Sequence, residues 1–309
     1  MTGGAGFIGS HLVDRLAGAG HHVFVLDNFS TGTMKNLSDT QGCQNLKVAR
    51  GDIRETPRSL VKRLGRADRV CHLAALTSVQ ESIRNPVAAS EVNVIGTLRV
   101  LDVARRLRAE RVVFASSAAV YGIPETFPIT EGAKVAPISP YGASKAASEL
   151  YCKAFEENHG IETVSLRYFN VYGPRQASSQ YSGVISIFAR RLLRGLALPI
   201  FGDGSQTRDF VFVSDAVDAT ISALEKTLRS RVFNVASGAE TTILELAETM
   251  RQIAGGDPRS RLSFELPRRG DIRRSVADIT RTQSELDFHP ATSLRDGLSK
   301  TIRWFAHKV

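Results

Sequence analysis

Tyr141 and Lys145 stand four residues apart in Tyr-Gly-Ala-Ser-Lys, a spacing that puts both on one face of a helix. An ammonium beside a phenol favours the phenolate, which suits the phenol to act as a general base near neutral pH. Ser116-Ser117 follows the apolar run Val112-Val113-Phe114. The pair is therefore expected at the C-terminal edge of a parallel strand, where open α/β sheets bind ligands. From there Ser117 can hydrogen-bond a substrate hydroxyl and help pass its proton to Tyr141. A lone Tyr-x-x-x-Lys is an ordinary exposed helical pair, so its meaning depends on a cofactor site nearby.

Such a site is spelled out at the front of the chain. Thr2-Gly3-Gly4-Ala5-Gly6-Phe7-Ile8-Gly9 carries glycines at 3, 6 and 9 and leads into a helical pattern. Gly3 permits a tight turn, Gly6 lets backbone approach a pyrophosphate, and Gly9 allows close helix packing. The helix N-terminus then offers amide donors and a favourable dipole to phosphate. Asp27 closes the next strand pattern, where a carboxylate bonds a ribose 2′-hydroxyl and repels a 2′-phosphate. NAD is thus expected over NADP. The fingerprint also calls for a strand before it, and only Met1 precedes Thr2. This predicts a truncated first strand and a true start several residues upstream.

Short apolar runs at 22–26, 46–49, 70–73, 111–114 and 163–166 alternate with helical patterns at 9–19, 87–107 and 141–159. Regular alternation of this kind implies a parallel sheet covered by helices on both faces. After Asn170 the pattern loosens around Gly173-Pro174, Gly183, Pro199 and Gly202-Asp203-Gly204, as a smaller lobe would. Residues 211–226 and the run Val232-Phe233-Asn234-Val235 read as a return to the main sheet.

The 309 residues carry 40 Lys+Arg against 31 Asp+Glu, a formal charge of +9, with 42% hydrophobic residues. That composition excludes disorder, and no apolar stretch is long enough to span a membrane. No secretory signal pattern opens the chain. The arginines come in short groups such as 105–106, 190–191, 268–269 and 273–274, which reads as solvated surface. Cys43, Cys71 and Cys152 are odd in number and not in metal spacing, and read as buried free thiols in a reducing cytoplasm.

Along its whole length the sequence resembles the extended short-chain dehydrogenase/reductases, and within them the nucleotide-sugar 4-epimerases. The motifs that carry the resemblance are the glycine loop, Asp52-Ile53, His72-Leu73-Ala74-Ala75, Asn93, Ser116 through Gly122, Tyr141-x-x-x-Lys145 and Arg167-Tyr168-Phe169-Asn170. Later come Gly202-Asp203-Gly204, Arg208-Asp209-Phe210 and Arg269-Gly270-Asp271. The resemblance implies a doubly wound parallel Rossmann sheet with a smaller C-terminal substrate lobe. The cofactor domain would span 1–170 plus about 206–240, and the UDP-sugar lobe about 171–205 and 241–309. It implies an isomerase of carbohydrate metabolism that uses NAD, needs no metal, works on a UDP-hexose and forms a homodimer through the helices at 87–107 and 141–159.

Its site residues follow by position. Ser117, Tyr141 and Lys145 would be catalytic. Gly3, Gly6, Phe7, Ile8, Gly9, Asp27 and Asn28 would hold the phosphates and ribose, and Asp52 and Ile53 would flank the adenine. Leu73, Ala74, Ala75, Asn93 and Ser116 would line the cofactor cleft together with Tyr141 and Lys145, and Tyr168 would lie near the nicotinamide. Asn170, Arg208 and Arg269 would hold the nucleoside diphosphate, and Asp271 the uridine ribose. Ser275 falls where relatives carry a residue that bounds the sugar pocket, and its small size leaves room for an N-acetyl group.

In the sibling 4,6-dehydratases Asp and Glu follow the catalytic Thr, and the decarboxylases keep that Glu. Here those positions are Ala118 and Ala119, which transfer no proton, so both reactions are disfavoured and C4 epimerisation is expected. The stretch from Gly173-Pro174-Arg175-Gln176 through Tyr181 to Ile185 resembles enzymes for UDP-glucose and UDP-N-acetylglucosamine. UDP-glucuronate is the alternative, if Arg175 or Arg190 reaches a carboxylate. A non-catalytic NAD-binding scaffold is a remote alternative, opposed by Ser117, Tyr141 and Lys145 standing together. No nucleic-acid partner is expected, because the chain has no continuous basic stripe or aromatic platform.

Overall fold

The computed structural model describes residues 1–176, 183–255, 261–267 and 270–307. The first half runs α1 (Phe7–Gly18), β1 (Val23–Asp27), β2 (Leu46–Arg50), α2 (Pro57–Leu64), β3 (Arg69–His72), α3 (Val79–Arg84), α4 (Pro86–Ser90), α5 (Gly96–Leu107), β4 (Arg111–Ser117), α6 (Pro140–His159) and β5 (Glu162–Tyr168). Then come β6 (Asn170–Tyr172), α7 (Val184–Leu193), β7 (Leu198–Phe201), β8 (Thr207–Arg208), β9 (Phe210–Phe212), α8 (Val213–Glu225) and β10 (Val232–Val235). The chain closes with β11 (Thr241–Thr242), α9 (Ile243–Ile253), β12 (Leu262–Glu265), α10 (Thr280–Leu286) and α11 (Leu294–Ala306).

The main sheet is parallel, in the order β10-β5-β4-β3 with β1-β2 beyond. Residues 1–3 join the two parts. Thr2 bridges Leu26 and His72 in parallel sense. Its amide donates to the Cys71 carbonyl at 2.9 Å and its carbonyl accepts from Leu73 at 3.1 Å. The Leu26 amide donates to Met1 O at 2.8 Å, and the terminal ammonium donates to Phe24 O at 2.7 Å. The place of the expected first strand is thus taken by a three-residue stub. It satisfies backbone groups that would otherwise be buried without partners.

The strands read as continuous apolar runs because both faces are covered. Val112 and Phe114 pack with Leu60, Leu101 and Cys152 on one side. Val113, between them, packs with Leu12, Leu166, Ala216 and Phe233 on the other. The return at 232–235 is β10, paired in register with β5. The later segments form two-stranded sheets, β6 with β9, β7 with β12, and β8 with β11. Buried Asp209 ties them together, accepting the amides of Ser237 at 2.7 Å, Gly238 at 3.0 Å and Ala277 at 3.2 Å. Burial pushes its carboxyl up, and those donors oppose the shift.

Two expectations need correction. The pattern at 87–107 is not one α-helix: α4 gives way to a π-helical turn at Glu91–Ile95 before α5. The wider turn changes the local ladder, and the Asn93 carbonyl accepts the hydroxyls of Thr97 at 2.5 Å and Ser148 at 2.9 Å. Nor are all three thiols buried. Cys43 is exposed, in a loop too polar to enter the core, whereas Cys71 and Cys152 are enclosed and burial pushes both up to about 12. Among the described residues no helix is long and apolar enough to cross a membrane. Since the thiolate is the reactive form, alkylation of the native protein should label one fast-reacting thiol per chain. Mass mapping should place it at Cys43, and Cys43→Ser should leave no fast phase.

Candidate active site

The glycine turn is built as its spacing predicts. Gly3 has φ +70°, and a Cβ there would meet the Ala74 amide nitrogen at 2.7 Å. At Gly9 a Cβ would overlap the Gly3 carbonyl oxygen, so the turn packs directly under the start of α1. The Asp27 carboxylate accepts the Ala5 amide at 2.9 Å and the Phe29 amide at 2.8 Å. Each oxygen keeps a second lone pair for a further donor. The Asn28 amide donates to Asp52 at 3.0 Å. Arg54 grips Asp52 with two bonds of 2.9 Å and holds that carboxyl well below the usual carboxylate range.

These residues open on a cleft of about 700 Å³ lined by the turn, Asp27, Asn28, Asp52, Ile53, the 73–77 loop, Ser116, Ser117, Tyr141, Lys145 and Tyr168. That volume, and the bare N-terminus of α1 facing it, fit a dinucleotide. Every residue expected at the cofactor lines the cleft except Asn93. Its side chain is buried instead, accepting the Leu76 amide at 2.8 Å and donating to Leu76 O at 3.0 Å and Ser144 Oγ at 2.9 Å. The π-helical turn directs it at the back of the 73–77 loop, so it shapes the cleft wall without reaching the lumen.

A smaller cavity of about 190 Å³ opens beside the cleft, and the two share Ser117, Tyr141, Tyr168 and Phe169. Asn170, Arg208, Ser275, Ala118 and Ala119 line the smaller one. Ser117 and Tyr141 both line this junction. Burial pushes the Tyr141 phenol up. Burial likewise pushes Lys145 down to about 8, against the opposing effects of Cys152 and Glu149. The Lys145 ammonium donates to the Ala115 carbonyl at 2.7 Å and lies 6.0 Å from the Tyr141 ring centre. The lowering of the phenol expected from Lys145 is not found: burial raises it, and Ser117 is the group that opposes the rise. Tyr168 donates or accepts at Thr220 Oγ1 at 2.6 Å and is pushed up by burial.

On the far side of the smaller cavity Arg208 pairs with Asp271 and donates to the carbonyls of Thr207 and Ile272, each at 2.6 Å. Asn170 donates its amide nitrogen to Asp209 O at 3.1 Å. Arg269, expected at the diphosphate, lies outside the described residues, as does Tyr181. Arg175 lines the cofactor cleft, not the smaller cavity, and holds Asp14 at 2.5 Å and Asp39 at 2.6 Å. Arg190 sits on α7 with its Nε on Ser186 O at 3.3 Å. Arg54 and Glu149 are not among the expected site residues, and Arg175, weighed for a sugar carboxylate, stands on the cofactor side. Only Glu149 left a local signal, standing four residues after Lys145 on the same helix face.

The sequence matches the family described as NAD dependent epimerase/dehydratase over residues 1–236. It is 38% identical to the UDP-glucose 4-epimerase of Mycolicibacterium smegmatis, across 100% of this chain and 98% of that one. It superposes on the UDP-glucose 4-epimerase of Thermotoga maritima, solved with UDP-glucose, with a TM-score of 0.93 at 37% identity, covering 99% and 98% of the two chains. The UDP-N-acetylglucosamine 4-epimerase of Methanobrevibacter ruminantium, solved with UDP-N-acetylmuramic acid, gives 0.93 at 36% identity over 100% and 97%.

A side chain at Gly9 must push the turn off the helix start. Gly9→Val is expected to cost about 2 kcal/mol or more of stability through overpacking and to abolish retention of the dinucleotide, read by thermal unfolding and by nucleotide content after desalting.

Proposed function

The chain belongs to the NAD dependent epimerase/dehydratase family, and from that premise we propose that it inverts C4 of a UDP-hexose. UDP-glucose and UDP-galactose are the proposed pair, with UDP-N-acetylglucosamine also accepted. The observation that carries this reading is the junction of a dinucleotide-sized cleft and a smaller cavity at Ser117, Tyr141 and Tyr168. A reaction that moves hydride needs cofactor and sugar to meet beside a proton acceptor, and that is where Tyr141 stands.

Removal of hydride from C4 and its return to the other face are the chemistry that bound NAD supplies. The protein moves the proton. Tyr141 as phenolate takes it from the 4-hydroxyl while Ser117 bridges the two oxygens, and the same proton goes back when hydride returns. Lys145 keeps the site cationic. Ala118 and Ala119 contribute no acid or base that would divert the 4-keto sugar into elimination or decarboxylation. Arg208 is the diphosphate anchor, its fork suited to two phosphate oxygens. It reaches them by giving up Asp271, which then becomes free for the uridine ribose.

We assign residues 1–170 and about 206–240 to the NAD domain and about 171–205 and 241–309 to the UDP-sugar lobe, with Arg208 of the first reaching the smaller cavity and Arg175 of the second lining the cofactor cleft. UDP-glucuronate is the weaker reading, because Arg175 is already held by two carboxylates on the cofactor side. A homodimer is supported by exposed apolar side chains on adjacent helices, among them Val87 at 72% and Leu150 at 70% exposure. Burying such a patch is the usual reason for its presence.

Turnover of UDP-glucose, UDP-N-acetylglucosamine and UDP-glucuronate, followed by product sugar analysis, tests the reading; inactivity on all three would refute it. Tyr141→Phe should lower kcat by about 10²- to 10⁴-fold and leave NAD bound. Ser275→Tyr should cut turnover of the N-acetyl sugar about tenfold more than that of UDP-glucose. The Lys145 ammonium is present below about pH 8 and lost above it, so kcat/KM should decline on that basic limb. Lys145→Arg, which stays charged, should lack the decline. Leu150→Glu should yield monomers in sedimentation.

A further inference from the structure

The groups at the junction come from two separate elements. Ser117 ends β4, and Tyr141 and Lys145 lie on α6. Their mutual placement depends on how α6 sits along the strand ends, which apolar contact alone specifies loosely because it has no direction. One side chain spans both elements. Glu149 is four residues after Lys145 and eight after Tyr141, on the same face of α6. Its carboxylate accepts the Ser116 hydroxyl from β4. It also accepts two bonds from Arg167 on β5, Nε at 2.9 Å and Nη2 at 2.7 Å.

Ser116 and Arg167 are direct partners in the β4–β5 register, and the next pair along is Ser117 and Tyr168. Side chains alternate along a strand. Ser116 and Arg167 therefore turn their side chains to Glu149 on α6, with Ser116 also bordering the cleft, while the following pair faces the cleft. Glu149 grips two strand ends one residue before Ser117 and Tyr168, which line both the cleft and the smaller cavity. The grip is enclosed: the side chains of Arg167 and Glu149 are 5% and 10% exposed. Arg167 is braced in turn, with Nη1 on the Glu131 carbonyl at 3.1 Å and its guanidinium 4.8 Å over the Tyr121 ring.

We propose, on the reading that the site is a C4 epimerase, that Glu149 is a positioning residue which fixes α6 against the ends of β4 and β5 and so sets where Tyr141 stands relative to Ser117. It touches neither sugar nor cofactor. Its removal acts on the chemical step, because a small misplacement of a proton-transfer partner costs rate without costing binding.

The holoenzyme carrying Ser116→Ala loses the tie to β4 and keeps the ion pair. The double variant Glu149→Met with Arg167→Met removes the whole grip and strands no buried charge, an exchange that buried pairs often tolerate. Glu149→Gln with Arg167→Met restores an acceptor for Ser116. The expected result is a kcat about tenfold or more below wild type in the first two, with KM within about threefold. A larger primary isotope effect is expected with the C4-deuterated sugar, and partial recovery in the Gln variant. Wild-type kcat and isotope effect in folded Ser116→Ala would overturn the proposal. A lower kcat with an unchanged isotope effect and no recovery would also overturn it, by making Glu149 merely structural. Full turnover by Tyr141→Phe is the separate result that sinks the functional reading itself.

Discussion

A single carboxylate, Glu149, sits where two strands and a helix converge, and its bonds to Ser116 and Arg167 set the geometry on which the site depends. Apolar packing brings α6 down on the sheet but leaves its position along the strands soft. Directed bonds to a buried charge remove that freedom, because any slide strands the charge or an arginine in low dielectric. The same logic recurs elsewhere. Asp209 draws the segments at 237–238 and 277 onto β9, and Asn93 fixes the 73–77 loop from behind. Polar groups specify relative placement, and the apolar clusters supply cohesion.

The parallel sheet decides where those placements converge. Its connections bring the N-terminus of α1 and the C-terminal ends of β1, β3, β4 and β5 to one side. The cleft therefore runs from the glycine turn to Ser117 without a break. The stub at residues 1–3 keeps that edge continuous, since Thr2 bonds across to both Leu26 and His72. Its hydroxyl also lies 2.7 Å from the His72 ring, and burial pushes that histidine down to about 3. The histidine of His72-Leu73-Ala74-Ala75 is thus a neutral strut under the cleft wall.

Charge is spent locally throughout. Arg54, Arg175, Arg208 and Arg274 each hold an acidic partner. The excess of +9 thus coexists with a site whose cations are largely neutralised. On the proposed function this has a mechanistic side in Arg208, whose partner Asp271 yields to the incoming diphosphate. The Tyr141 phenol and the Lys145 ammonium are both pushed towards neutrality by burial, so the polar contacts around them govern their proton chemistry.

The sequence by itself determined whatever depends on local spacing or composition. The alternation of apolar runs and helical patterns, the glycine turn, Asp27 at the end of its strand and Tyr141 four residues before Lys145 were all legible. Each is a short-range consequence of backbone sterics or helical periodicity. Only the tertiary structure decided what depends on partners distant in the chain. The π-helical turn withdrew Asn93 from the lumen, because its hydrogen bonds to residues 76 and 144 lie across the fold. Arg175 went to Asp14 and Asp39, more than a hundred residues away. Glu149 acquired its meaning from Arg167, a strand neighbour of Ser116 that no local pattern joins to it. A side chain's type announces which bonds it can make. Which group lies within reach is set by the packing of elements, and that is a property of the whole chain.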